Sequence, residues 1–352
     1  MNLLKNLYQQ HEGKSSDKWN IYLDVYDELL STRRAQVSNF LEIGVQNGGS
    51  LEIWSKYFPE SKKLIGCDIN PACAGLKYVD PKIKVIVGDS STQNVKDEIA
   101  SITPEIDLII DDGSHTSSDI IKSFLLYFPL VSDGGIYIIE DLHASYWKSF
   151  EGGLYYPYSS MAFLKKLADI PNHEHWGVEL KPQDYLSPFF KRYNCLEMDS
   201  VDYSSIHSVT FINSLCIIKK NRSEFNVLGP RHIAGNEWSV FENNKESQGK
   251  SIRVINQNLN NWGKLNNFPE MEWEKLVSND KAKSVEIDSL RKEMEFERNK
   301  YEIELAELSL KIKENDDARD RLMKDNAEIL NSTSWKITQP IRSLMNIIKR
   351  RK

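Results

Sequence analysis

Five short apolar runs follow one another between residues 38 and 143, at 39–42, 64–68, 83–89, 106–112 and 136–141. Each closes on an acid: Glu42, Asp68, Asp89, the pair Asp111 and Asp112, and the pair Glu140 and Asp141. Strands wet on one face alternate polar and apolar residues, whereas runs rich in Ile and Val without alternation read as strands buried on both faces of a parallel sheet. Successive runs begin about 20–30 residues apart, which leaves room for a crossover helix between them. Ligands of such sheets bind beyond the carboxyl ends of the strands. The pattern therefore predicts five strand-end acids converging on one rim.

Outside this stretch the pattern changes several times. Ile21, Val25, Tyr26 and Leu29 recur at helical spacing and predict a helix that covers one edge of the sheet. Residues 206–212 and 214–219, turning around Asn213, read as a hairpin that ends the domain near Lys220. From 221 to 280 the composition is polar, and 229–235 reads as a small appendage folded back on the domain. Residues 281–330 contain no Gly or Pro and place Ile287, Met294, Tyr301, Leu308, Asn315, Leu322 and Ile329 seven apart. A sustained heptad predicts a coiled coil, with Asn315 as a register-setting polar position, and hence a homo-oligomer, a dimer or trimer. In the tail, Pro340 opens a helix with Ile341, Leu344, Met345 and Ile348 on one face, and Arg342, Lys349, Arg350, Arg351 and Lys352 add positive charge. Such a basic amphipathic helix, headed by Trp335, suits contact of residues 335–352 with an anionic membrane surface. The predicted order is an N-terminal helical cap (1–37), an α/β domain (38–220), a polar appendage or linker (221–280), a coiled coil (281–330) and a basic amphipathic tail (331–352).

A formal net charge of −6 argues against a nucleic-acid surface. Cys67, Cys73, Cys195 and Cys216 show no metal-ligand or pairing spacing, which predicts reduced thiols. The first seven residues lack the apolar core of a signal peptide, and no run approaches the about 20 apolar residues of a membrane span. These features predict a cytoplasmic protein, peripheral at the inner membrane through its tail.

The chemistry follows from the acids and the loops between them. Glu42-Ile43-Gly44-Val45-Gln46-Asn47-Gly48-Gly49-Ser50 resembles the glycine-rich first motif of class I S-adenosylmethionine-dependent methyltransferases. A nicotinamide dinucleotide fold also has an acid after its second strand, but the glycine spacing fits that fingerprint poorly. The resemblance implies a seven-stranded Rossmann-like sheet with S-adenosylmethionine held by Glu42, Gly44, Asn47, Gly48 and Ser50, then by Asp68, Asp89, Ser90 and Asp111. In it Glu42 lies near the methionine end, Asp68 takes the ribose hydroxyls, and Asp89 with Ser90 lies by the adenine.

Asp112-Gly113-Ser114-His115 and Glu140-Asp141-Leu142-His143 resemble the metal-dependent sugar O-methyltransferases of macrolide biosynthesis and their bacterial polysaccharide-cluster relatives. That likeness implies Mg²⁺ held by Asp112, Glu140 and Asp141, with His115 as general base and His143 as a further candidate. A sugar hydroxyl is a poor nucleophile at neutral pH, so a hard cation and a base near pKa about 6.5 meet a chemical need. Tyr146, Trp147, Tyr155 and Tyr156 supply flat rings for a saccharide acceptor, though the same rings also read as lid packing. His173 and His175 lack a third ligand at a telling distance and read as loop residues, and no two-His-one-carboxylate iron pattern accompanies the strand ends. Ser-Thr-Ser-Trp-Lys-Ile-Thr at 332–338 resembles the C-terminal phrase of enzymes of cell-surface polysaccharide synthesis, which makes such enzymes the expected partners. The reading is therefore an O-methyltransferase acting on a cell-surface saccharide or its lipid- or nucleotide-linked precursor. A metal-independent methyltransferase and a non-catalytic coiled-coil scaffold remain as other classes.

Overall fold

The computed structural model describes residues 2–195, 200–240, 246–260 and 270–349. The chain divides into two units, Met1–Leu265 and Asn266–Lys352.

All five apolar runs are strands. They are β1 (Asn39–Ile43), β2 (Lys63–Asp68), β3 (Ile83–Val87), β4 (Ile106–Asp111) and β5 (Val131–Ile139), and the hairpin supplies β6 (Ile206–Ile212) and β7 (Leu215–Lys220). The seven form one sheet in the order β3-β2-β1-β4-β5-β7-β6. The first five are parallel, and β7 runs antiparallel between β5 and β6. This is a Rossmann-like sheet of seven strands, as the resemblance implied. Chain order reverses between β1 and β4, so a crevice opens beyond their carboxyl ends.

β5 is longer than its apolar run. Val131 pairs with Ile106, the register then shifts, and Ile136 pairs with Leu108. The polar stretch Ser132-Asp133-Gly134-Gly135 is thus carried in a strand by a bulge, where pairing overrides local propensity.

The helices α1 (Leu3–Gln9), α2 (Asn20–Leu30) and α3 (Gly49–Tyr57) share one core with the sheet. Leu64, Phe40, Leu108, Ile138 and Ile217 come from β2, β1, β4, β5 and β7, so this layer covers a face of the sheet rather than the expected edge. The buried side of α2 is also rotated from expectation. Tyr22, Leu23, Tyr26 and Leu30 are buried, whereas Ile21 is exposed and Val25 and Leu29 are only partly covered. Two tyrosine hydroxyls that find carboxylate partners below the helix set this phase, an outcome apolar counting does not register. Trp54 stacks on Phe58 at 5.5 Å and meets Phe40 at 5.6 Å and Tyr26 at 5.5 Å.

The other crossovers are α4 (Gln93–Ile102) and α5 (Ser117–Tyr127), and α6 (Ser160–Leu167) and α7 (Pro182–Tyr193) lie between β5 and β6. After β7 the chain folds back on its own unit. Leu228 N donates to Glu174 Oε1 at 2.8 Å and Gln257 N to Gly177 O at 2.8 Å.

The second unit is helical. α8 (Glu270–Asn331) spans 62 residues, about 90 Å of helix, and contains the whole 281–330 heptad segment while beginning earlier. The heptad positions Ile287, Met294, Tyr301, Leu308, Leu322 and Ile329 are all exposed. Ser332 caps α9 (Thr333–Ile337), and α10 (Gln339–Lys349) carries Pro340 in its first turn. Arg350, Arg351 and Lys352 of the expected basic tail lie outside the described residues, as do the side chains of Ile348 and Lys349. No helix among the described residues is long and apolar enough to cross a membrane.

Phe40 is fully buried against Trp54 and Phe58. Phe40→Ala is expected to lower unfolding stability by about 3–5 kcal/mol, read as a lower urea midpoint with an unchanged slope.

Candidate active site

Backbone hydrogen bonds continue the ladder one residue past the strands and align the acids. Gly44 N donates to Cys67 O at 2.8 Å, Asp112 N to Ile43 O at 2.8 Å and Glu140 N to Asp111 O at 2.9 Å. The residues after β1, β4 and β5 therefore stand in one row beside the end of β2. Gly44 makes the first turn at φ +92°, and a Cβ there would lie 2.0 Å from the carbonyl oxygen of Asp112. The loops after β1 and β4 thus touch backbone to backbone.

The row borders a cavity of about 490 Å³. On the β2–β3 side its wall includes Asp68, Asp89 and Ser90, and on the β4–β5 side Asp112, His115 and Asp141. Asp68 Oδ2 accepts from the amides of Val45 and Gln46 at 2.9 and 2.8 Å, tying the glycine-rich turn to β2. Asp89 Oδ1 accepts from Ser91 N at 2.9 Å. Asp111 is buried, accepts from the Tyr137 hydroxyl at 3.1 Å, and has its carboxyl pushed up to about 7 by that burial.

Of the remaining glycine-loop residues, Gly44 and Ser50 border the cavity. Glu42, Asn47 and Gly48 do not line it. Glu42 lies fully buried, taking the Ser50 hydroxyl at 2.5 Å and the Trp54 indole at 3.4 Å, and burial raises its carboxyl pKa. Asn47 is exposed, and the Gly48 carbonyl accepts from the Tyr78 hydroxyl at 3.2 Å.

At the other side three ligand atoms converge. His115 Nε2 lies 3.9 Å from Asp112 Oδ1 and 3.8 Å from Asp141 Oδ2. One donor atom from each of Asp112, His115 and Asp141 lies within 4.8 Å of the other two, a set that can hold a divalent cation. His115 and Asp141 both adopt left-handed backbone, at φ 58° and 56°. Strained non-glycine backbone of this kind persists where surrounding structure over-determines it, often at functional sites.

Glu140 takes a different position. It is 1 % exposed, and its Oε1 accepts from the Tyr26 hydroxyl at 2.6 Å and the Lys18 ammonium at 2.8 Å. Lys18 is the residue that sequence reasoning missed. Its side chain is only 2 % exposed, and Nζ also lies 2.5 Å from Asp112 Oδ2 and 3.8 Å from Glu42 Oε1. Burial disfavours the ammonium, but Glu140, Asp112 and Glu42 outweigh it and hold the lysine pKa well above its usual value. Trp19, Tyr22 and Tyr26 were missed as site residues as well. The available signal was an i, i+4 tyrosine pair, Tyr22 and Tyr26, following a Lys-Trp step.

His143 stands beside the cavity rather than on its wall. Its Nδ1 lies 2.6 Å from the Ser214 hydroxyl and 4.0 Å from Asp141 Oδ1. Its ring meets Trp19 at 5.9 Å and Trp147 at 5.0 Å. Trp147 continues to Phe150 at 5.9 Å, and Phe150 faces His115 at 6.5 Å. Tyr146 and Tyr155 are exposed away from the cavity wall, and Tyr156 accepts from Arg192 Nε at 3.1 Å. His173 Nδ1 is bonded to Ile170 O at 2.9 Å, and neither it nor His175 belongs to a three-ligand group among the described residues.

Residues 41–142 match the family described as a methyltransferase domain. The chain is 33% identical over 183 residues to the 8-demethyl-8-alpha-L-rhamnosyl tetracenomycin-C 2'-O-methyltransferase of Streptomyces olivaceus, covering 48% of this chain and 47% of that protein. It is 33% identical over 199 residues to the mycinamicin VI 2''-O-methyltransferase of Micromonospora griseorubida, covering 53% and 46%. Among solved structures, MycE methyltransferase of the mycinamycin pathway, in complex with Mg, SAH and mycinamycin VI, superposes with a TM-score of 0.51 at 26% identity, covering 63% of this chain and 54% of that one. In sheet order, rim and these likenesses the domain resembles the class I S-adenosylmethionine-dependent methyltransferases. It resembles the macrolide sugar O-methyltransferases, and the chain spans about half the length of the curated relatives it matches, 47% and 46% for the two above.

Gly44→Ala is expected to destabilise the protein by at least about 1–3 kcal/mol, because the carbonyl it would strike is backbone and cannot rotate away. Comparison of urea midpoints for the variant and the natural protein measures it.

Proposed function

We propose that this protein is an O-methyltransferase that uses S-adenosylmethionine and Mg²⁺ to methylate a sugar hydroxyl. The carrying observation is the convergence of Asp112 Oδ1, His115 Nε2 and Asp141 Oδ2 on the wall of a cavity whose other side bears Asp68, Asp89 and Ser90. Relatives named as sugar O-methyltransferases, and a structural neighbour solved with Mg and SAH, support both cofactors.

The donor set fits a hard cation, since carboxylate oxygens suit Mg²⁺ and Mg²⁺ keeps several waters. Asp112 and Asp141 would hold it from the open side, and Glu140 would join them only by sharing its bond with Lys18. When bound, the ion polarises the acceptor hydroxyl and the sulfonium offers an electrophilic methyl. With the ion on the two carboxylates, His115 Nε2 is not a ligand and its lone pair would take the hydroxyl proton. Asp68 receives the ribose hydroxyls, and Asp89 with Ser90 borders the adenine. Glu42, sealed under the glycine loop, acts through Ser50 rather than by touching the donor. Trp147, whose ring meets those of His143 and Phe150, is the acceptor candidate linked to His115 by ring contacts. His115 is favoured over His143 as base because it alone of the two lies on the cavity wall.

The acceptor we favour is a cell-surface polysaccharide or its lipid- or nucleotide-linked precursor, and the C-terminal phrase around Trp335 supports this. The exposed heptad face of α8 supports self-association, because a second copy would cover it. Ile341, Leu344 and Met345 of α10 are exposed, and Arg342 lies over the Trp335 ring at 3.5 Å. A helix of that composition supports peripheral contact with an anionic membrane, where polysaccharide-synthesis enzymes work.

With labelled S-adenosylmethionine and lipid- or nucleotide-linked saccharides, activity should be lost in EDTA and restored by Mg²⁺. Asp141→Ala should behave likewise, and His115→Gln should lower kcat about 10²–10⁴-fold. Activity that survives chelation and Asp141→Ala would establish the metal-independent reading instead, and absence of cofactor binding by calorimetry would establish the scaffold. Sedimentation of the full chain should give a dimer or trimer, and Leu308→Lys with Leu322→Lys should give monomers.

A further inference from the structure

The two rim carboxylates each divide their oxygens between the cavity and one short segment. Asp112 turns Oδ1 toward His115 Nε2, while its Oδ2 accepts from Lys18 Nζ at 2.5 Å. Asp141 turns Oδ2 toward His115 Nε2, while its Oδ1 accepts from Trp19 Nε1 at 3.0 Å and lies 2.8 Å from the Tyr22 hydroxyl. That hydroxyl also accepts from Asp141 N at 3.1 Å, which helps hold the left-handed backbone there. Three neighbouring residues thus occupy the inner oxygens and leave the outer ones aimed at a common point.

The segment itself is anchored. Gly49 N donates to Ser15 O at 3.1 Å, Lys14 N to Glu52 Oε2 at 2.9 Å, and Lys14 Nζ pairs with Glu52 Oε1 at 2.5 Å. A Cβ on residue 49 would come 2.0 Å from Lys14 O, so the segment rests directly on the start of α3. Behind it, Glu140 and Glu42 hold the Lys18 ammonium from the inner side. A carboxylate already fixed in its ligating orientation loses little side-chain freedom when a cation arrives.

We propose that Lys18, Trp19 and Tyr22 are positioning residues that set the affinity of the rim for a divalent cation. The inference rests on the metal-dependent reading above. Each of the three acts through Asp112 or Asp141, as outer partners of metal ligands commonly do, with losses of about 10–100-fold in affinity when such partners are removed.

The test titrates the full-length protein with Mn²⁺ and reads free Mn²⁺ by electron paramagnetic resonance, with no turnover required. The natural protein should bind Mn²⁺, and Asp112→Asn should bind it poorly. Trp19→Phe combined with Tyr22→Phe should weaken binding about 10–100-fold. Lys18→Met also removes a positive charge beside the site and frees Glu140, so the uncharged aromatic pair decides the test. Tyr57→Phe, which removes a comparable tyrosine bond, 3.0 Å to Asp27 and away from the rim, should leave Mn²⁺ binding unchanged. If the Trp19 and Tyr22 double variant binds Mn²⁺ as tightly as the natural protein, the positioning role is overturned while the metal site stands. If the natural protein binds none, the metal-dependent reading falls and the positioning role with it.

Discussion

A lysine ammonium sealed beneath the strand ends is the contact on which this molecule's site depends. Four acids, Glu42, Asp112, Glu140 and Asp141, approach one another at the crevice where the order of parallel strands reverses, and two of them are almost wholly out of water. Uncompensated buried carboxylates are costly, so a rim of this composition needs a cation on its inner side. Lys18 meets that need and leaves the outer oxygens of Asp112 and Asp141 facing the cavity. The arrangement separates two tasks that one acid cluster would otherwise mix. Glu140 and Glu42 balance the internal charge, and Asp112 with Asp141 keeps an oxygen turned toward the cavity.

The same contact explains why the N-terminal segment is part of the domain rather than a separate cap. α2 presents Tyr22 and Tyr26 to the acids of the fifth strand end and packs Leu23 and Leu30 into the common core. One helix therefore serves packing and polar satisfaction together, and the buried hydroxyls decide its rotation. Left-handed backbone at His115 and Asp141 fits this picture, because strain at a rim is sustained only when neighbours on several elements hold it.

The second unit obeys different physics. α8 buries no described side chain within its own unit, and its charged surface is laced with i, i+3 and i, i+4 pairs such as Arg291 with Asp288 and Arg298 with Glu302. Exposed pairs of this kind contribute little each, and the apolar seam of α8 stands exposed beside them. α10 concentrates apolar residues on one face and basic ones beside them, the composition of an interfacial helix.

Much of this was legible in the sequence, for identifiable reasons. Uninterrupted Ile- and Val-rich runs announce buried parallel strands, and a strand that must end at a sheet edge fixes where its terminal acid stands. Asp68, Asp89, Asp112 and Asp141 were therefore legible as strand-end acids, as was the hairpin of β6 and β7, whereas the roles expected of them came from the family resemblance. The start of β5 was not legible, since Ser132 to Gly135 have poor strand propensity and enter the sheet only through pairing across a bulge. Lys18 was invisible for a deeper reason. It lies 94 positions from Asp112, in a polar stretch that reads as loop, and nothing local marks a lysine for burial. Periodicity and strand ends are short-range properties that the chain carries in its own order. The inward turn of Glu140, the rotation of α2 and the choice of which carboxylate oxygen faces outward arise only when distant charges share one desolvated space, and the tertiary fold alone decides them.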